Sequence, residues 1–176
     1  MSPVNEEVSI KVGDTIPEGT FKYVPYTNEL ADNTACGVPQ EYKTSEWKGK
    51  KIVVVSVPGA FTPTCHQEHL PGFIKNFDTF RQKGVDAVVF LAANDPFVMS
   101  AWGRVEGLAD KIIYASDPNA RWSSELGLAK DLTGAGFGIR TQRYALIVDD
   151  LKVTFIATES GLGLENSSAE KILAHL

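Results

Sequence analysis

The chain has 176 residues, 43% of them hydrophobic and 22% charged, with a formal net charge of −5, which suits one domain with a sizeable core. An acidic balance without a basic cluster argues against nucleic acid or an anionic membrane surface as partner, and no apolar run approaches the roughly 20 residues that span a bilayer. Two cysteines are too few for a disulfide scaffold, and an intracellular setting would keep them mostly reduced between reactions.

In chain order, the first ten residues are acidic and polar, unlike a secretory signal or an arginine-rich transit peptide. Residues 8–12 read as a short strand, with turns at Gly13-Asp14 and at 17–19. Residues 21–26 alternate apolar and polar as a half-buried strand does. Residues 28–39 form a polar loop containing Cys36-Gly37, flanked by glycine and proline and expected to be mobile and exposed. Residues 40–43 return as the second strand of a hairpin, and Ser45 to Trp47 reads as a helical turn. Residues 52–57 are a nearly continuous, β-branched apolar run, the pattern of a strand buried on both faces. Pro58-Gly59 ends it. Thr62-Pro63 then has the form of an N-cap followed by proline at the first helical position, so Cys65 falls in the first turn of a helix, just beyond a central strand.

An interior proline, Pro71, removes a hydrogen bond and kinks the helix at a cost of ~3 kcal/mol unless accommodated; it also separates the Cys65 turn from the packed half, leaving a segment able to unwind locally. Phe73, Phe77 and Phe80 recur at helical spacing and predict a face packed on the sheet. Residues 85–93 read as a second buried strand, and Asp95-Pro96 starts a helix to about residue 106. Residues 111–115 form a third strand, and Asp117-Pro118 opens a helix ending near Gly127. Residues 127–142 carry no strong pattern. Residues 143–148 and 152–158 form a hairpin around Asp149-Asp150, and Ser167 with Glu170 makes a capping box before a last helix. With no linker or repeat, the order predicts a single α/β domain over 1–176, a mixed sheet with helices on both faces.

The chemistry gathers at Cys65. Unpaired N–H groups and the positive dipole end of a helix start favour an anion, and such surroundings make a cysteine a nucleophile. Pro58-Gly59-Ala60-Phe61-Thr62-Pro63-Thr64-Cys65 matches the peroxiredoxin active-site pattern of proline, three residues, threonine, two residues, cysteine. His69-Leu70-Pro71-Gly72-Phe73 resembles the subgroup that includes the plant type II, fungal alkyl hydroperoxide reductase and peroxisomal-membrane-associated enzymes. The similarity covers roughly residues 11–176 and implies a thioredoxin-like fold with an N-terminal β extension, which periodicity alone does not separate from other α/β folds.

The resemblance implies a thiol-dependent peroxidase that reduces hydrogen peroxide and alkyl hydroperoxides through a Cys65 sulfenic acid. Regeneration would come from a thioredoxin- or glutaredoxin-type reductant, in the service of redox homeostasis and antioxidant defence. No haem, flavin or metal cofactor is called for. Breaking the O–O bond needs donors aimed at the leaving oxygen; those expected are the helix-start N–H groups, the Thr62 hydroxyl and a guanidinium. Arg143 matches the family's catalytic arginine, with Arg140 as second choice. Pro58 and Thr64 complete the pattern, Thr64 with Thr62, Cys65 and Arg143 against the substrate. His69 shares a helix face with Cys65 and, by resemblance, orients the arginine.

The subgroup implies a homodimer, and Phe97 and Trp102 are interface candidates among the exposed apolar residues. Cys36, the only other cysteine, is the candidate resolving residue, in its own chain or, as fungal members of the subgroup with a cysteine in this loop suggest, in a partner's. Plant and animal relatives place theirs elsewhere, and direct reduction of the sulfenic acid by an external thiol is the alternative. A zinc site from Cys65, His66 and His69 lacks paired-ligand spacing, and a general disulfide oxidoreductase lacks Cys-x-x-Cys. A redox sensor or chaperone-like protein assembling on Cys65 oxidation is the reading from another class. The expected location is the cytoplasm, although Ala174-His175-Leu176 loosely resembles a peroxisomal address.

Overall fold

The computed structural model describes residues 4, 6–161 and 163–176. The strands are β1 (Thr20–Tyr23), β2 (Gln40–Lys43), β3 (Lys51–Ser56), β4 (Ala87–Ala92), β5 (Ile113–Ser116), β6 (Ala129–Leu132), β7 (Gly138–Thr141), β8 (Tyr144–Asp149) and β9 (Lys152–Thr158). The helices are α1 (Leu70–Lys75), α2 (Phe77–Gln82), α3 (Pro96–Glu106), α4 (Arg121–Glu125) and α5 (Ala169–Leu173). Among the described residues, seven strands form one mixed sheet in the order β2-β1-β5-β4-β3-β8-β9, and β6 pairs with β7 apart from it.

The order follows from the run at residues 52–57. β3 lies between parallel β4 and antiparallel β8, so both its edges are paired and both its faces are covered. Side chains alternate across a strand: Val53 and Val55 enter a core with Phe73, Phe80 and Trp102, while Ile52 and Val54 enter another with Phe21, Trp47 and Trp122. Both cores need apolar residues, which is why the run does not alternate. Phe73, Phe77 and Phe80 pack on the first face as their spacing predicts, although the helix breaks between them at Asn76.

Four expectations need correction. Residues 8–12 form no strand; Ser9 N–H donates to the Leu126 carbonyl, and the nearest ladder contact is an isolated bridge just beyond them, from Thr15 to Lys152. Gly127 permits that close approach, since a Cβ there would lie 1.6 Å from the Glu7 carbonyl oxygen. Residues 127–142, without pattern in the sequence, hold the β6–β7 hairpin. The helix expected from Pro118 starts properly only at Arg121, because Asn119 and Ala120 take positive φ values of 58° and 51°; the Asp117 carboxylate accepts from the Trp122 and Ser123 N–H groups instead. The cap of α5 is Ser168, not Ser167.

Candidate active site

The helix opens at Pro63, widens into a π turn over Cys65–His69, and continues as α1. In the wide turn the Leu70 N–H reaches back to the Cys65 carbonyl. Pro71 supplies no N–H and its ring would crowd the carbonyl four residues back in a regular helix. One inserted residue shifts those carbonyls out of register with the ring, so the expected kink becomes an expansion. Cys65 and His69 sit at the two ends of that expanded turn, buried to 1% exposure each.

Both face the same guanidinium. Arg143 Nη2 donates toward Cys65 Sγ at 3.2 Å, and its Nη1 donates to His69 Nδ1 at 3.0 Å. The segment that delivers Arg143 is pinned to the end of β3: the Thr141 hydroxyl donates to the Val57 carbonyl at 2.8 Å, and the Ser56 hydroxyl donates to the Gln142 carbonyl at 2.9 Å. Arg143 is itself only 8% exposed. A permanent cation therefore lies against the sulfur without bulk water to screen it.

His69 is held in one tautomer. Its Nε2 lies 2.8 Å from the Ser167 carbonyl, which can only accept, so Nε2 carries the proton. Nδ1 then offers its lone pair to Arg143, which can only donate. Burial first, and the Arg143 charge with it, push the imidazole down to about 4, overriding the opposing Ser167 and Glu159 contributions. A neutral ring is what the geometry requires. Serving both partners also commits both His69 nitrogens, while His66 turns away to the Glu106 carboxylate and the Trp102 indole N–H on α3.

Thr62 differs from expectation in one respect. Its hydroxyl donates to the Gly59 carbonyl at 2.7 Å, and its carbonyl accepts the His66 N–H at 2.9 Å. With its proton committed, the hydroxyl can offer a ligand lone pairs rather than a donor. Gly59 makes the tight turn possible, since a Cβ there would lie 2.9 Å from Thr62 Cγ2. Arg140 serves the frame: it donates to the Pro58 carbonyl at 3.2 Å and to the Phe137 carbonyl at 2.8 Å. The arginine at the sulfur is Arg143.

These groups open on a cleft of about 610 Å³ bordered by Pro58, Thr62, Thr64, Cys65 and Arg143. Its far wall is apolar, built by Leu132, Ala135 and Phe137 from the β6–β7 hairpin and its turn. That wall was missed in the sequence, although two short segments flanking Gly134 and Gly136 were a usable signal for a hairpin. Also missed was Glu159, which borders the cleft and accepts from the Ser167 N–H and hydroxyl; the Ser167 assigned to a helix cap is spent there.

Cys36 is not brought to this site. It is an exposed free thiol, whereas Cys65 is a buried one. Its loop is more constrained than its composition suggests: Leu30 is buried in a 3₁₀ turn, and Arg104 of α3 donates to the carbonyls of Leu30, Asp32 and Ala35 at 3.4, 3.4 and 3.0 Å. Of the two interface candidates, Phe97 is 46% exposed, but Trp102 is fully buried against Phe90 and Tyr114 and drops out.

The redoxin family profile matches residues 11–173. Peroxiredoxin AHP1 of Chaetomium thermophilum is 45% identical over 171 residues, 95% of this chain and 95% of that protein. A relative from Lipomyces kononenkoae, whose name describes a peroxisomal peroxiredoxin, is 45% identical over 166 residues, 93% of this chain and 99% of its own. Among solved structures, reduced Prx3 of Vibrio vulnificus in complex with hydrogen peroxide superposes with a TM-score of 0.82 at 39% identity, covering 94% of this chain and 98% of that one. The likeness extends to the whole fold, which is the thioredoxin-like fold of the peroxiredoxins.

Proposed function

Because the chain belongs to the redoxin family and is a peroxiredoxin, a thiol peroxidase, we propose that Cys65 is its nucleophile and Arg143 the group that activates it. The observation that carries this reading is the 3.2 Å approach of Arg143 Nη2 to Cys65 Sγ at the end of the cleft. The thiolate attacks the hydroxyl oxygen of the peroxide, its lone pair forming an S–O bond as the O–O bond breaks and the O–O bonding pair leaves with the departing oxygen. Cys65 becomes a sulfenic acid, and the leaving oxygen gains a proton to depart as water or an alcohol. Arg143 donates to the developing negative oxygen, and the Thr62 oxygen accepts from a peroxide O–H. Pro58 and Thr64 shape the mouth, and the apolar far wall takes the alkyl part of an organic hydroperoxide.

The sulfenic acid then condenses with the Cys36 thiol of a second subunit, releasing water and forming a disulfide that a thioredoxin- or glutaredoxin-type dithiol reduces. Cys36 is exposed and does not line the Cys65 cleft, which supports a partner subunit as the source of the resolving thiol, and Cys65, buried to 1% exposure, meets it as its turn unwinds locally. The proposed location is the cytoplasm. The peroxisome is the alternative, supported by the relative whose name describes a peroxisomal peroxiredoxin. Among the described residues no helix is long and apolar enough to cross a membrane.

The test is peroxide consumption coupled to thioredoxin and its reductase, with wild type and Cys65→Ser compared. Sustained turnover by wild type alone is expected. A Cys65→Ser protein that keeps more than roughly a few per cent of the rate would remove Cys65 from the chemistry.

A further inference from the structure

Glu159 follows β9, and its carboxylate is turned into its own loop. Oε1 accepts from the N–H groups of Glu165, Asn166 and Ser167 at 3.0, 2.7 and 2.7 Å, and from the Ser167 hydroxyl at 2.9 Å. Four donors converge on one oxygen, and charge-assisted bonds of this kind are about twice as strong as neutral ones. Glu159 also gives its own N–H to the Arg143 carbonyl at 3.2 Å. Burial works against the ionised carboxyl, but the bonds from Ser167, Asn166 and Glu165 prevail and hold it below the ordinary carboxylate range.

We infer that Glu159 is a positioning residue for Cys65, acting through Ser167, His69 and Arg143. The inference rests on the reading of Cys65 as nucleophile and adds a remote determinant to it. By fixing the N–H and hydroxyl of Ser167, the carboxylate fixes the residue's orientation, and with it the direction of the carbonyl that receives His69 Nε2–H. That bond selects the tautomer whose Nδ1 lone pair holds Arg143 Nη1, leaving Nη2 on the sulfur. Were the carbonyl to swing away, the other tautomer would set an Nδ1–H against an Arg143 N–H, donor against donor. The guanidinium would then leave its place at Cys65. Bonds behind a reacting group act this way generally, because orientation rather than contact is what they supply.

The experiment compares Glu159→Gln and Glu165→Gln in two readouts, the second-order reaction with hydrogen peroxide and alkylation of the Cys65 peptide by neutral iodoacetamide followed by mass, with Cys65→Ser as the control for the first. Glu159→Gln keeps the shape of the side chain and is expected to slow both by on the order of tenfold. Glu165→Gln removes the same charge from the same loop and leaves both unchanged. Added to His69→Ala, Glu159→Gln is expected to change neither by more than about twofold, since the relay is already cut. Wild-type rates in Glu159→Gln refute the inference, and so does a full tenfold effect in the His69→Ala background, which would mark a purely structural role. A slower peroxide reaction with unchanged alkylation also refutes it, because Glu159 would then be acting on the substrate across the cleft. If Cys65→Ser stays active, the nucleophile reading fails and this one falls with it; if Cys65→Ser is dead and Glu159→Gln normal, Glu159 alone is eliminated.

Discussion

Acidification should weaken this fold through His69 before most carboxylates titrate. The ring's ordinary value is 6.5, and burial beside Arg143 depresses it to about 4 in the folded chain. The unfolded chain therefore binds a proton over a range where the folded one refuses it, and stability falls as pH falls. The stabilisation from a neutral His69 is whole above 6.5 and is lost as pH drops toward 4. Between about pH 7 and pH 4.5 the difference amounts to ~2 kcal/mol, using 1.36 kcal/mol for each unit of displacement. Urea unfolding of the reduced protein at the two pH values measures it, with His69→Gln as reference. Other groups titrate in both proteins and cancel in the comparison. Protonation of His69 would also set His69⁺ against Arg143 and displace the guanidinium from Cys65, so the peroxide reaction loses the Arg143 contribution once the ring is charged. Equal pH-dependent losses of stability in wild type and His69→Gln would refute the argument.

Three further outcomes are expected. Arg143→Gln should slow the peroxide step by ~100-fold, the usual loss for an aligned donor to a developing oxyanion, and should slow Cys65 alkylation near neutral pH; Arg140→Gln should do neither, and the reverse pattern would reassign the two arginines. Phe137→Ala should lower the rate with a bulky alkyl hydroperoxide by about fivefold relative to hydrogen peroxide, the equivalent of ~1 kcal/mol of apolar contact, and an unchanged ratio would mean the far wall does not meet substrate. Peroxide-treated wild type should run as a covalent dimer on a non-reducing gel, with Cys36→Ser lacking that band and recycling slowly with thioredoxin; a wild-type monomer with normal recycling by the mutant would exclude Cys36.

What the sequence carried was local. A β-branched run, a Pro-Gly stop and a Thr-Pro start sit within fifteen residues of one another, and each writes its own backbone preference, so β3, the turn and the helix around Cys65 were legible. The Arg143–Cys65 contact was not legible from spacing, because 78 positions separate the pair and only family likeness selected this arginine over Arg140. Pro71 shows a subtler limit. Its cost was visible, but whether a helix kinks or admits an extra residue depends on what the turn must carry. Here Cys65 and His69 both have to meet one guanidinium, and the π turn satisfies the proline and the site together. Glu159 was invisible for a related reason: its partners are backbone N–H groups, which every sequence possesses and none advertises. The part of the site that sequence hides is thus the part that orients, since orientation is exerted through main-chain atoms brought together by the β8–β9 hairpin. Substitutions that slow the reaction should therefore extend beyond the recognisable motif, along the path from Cys65 through Arg143 and His69 to Ser167.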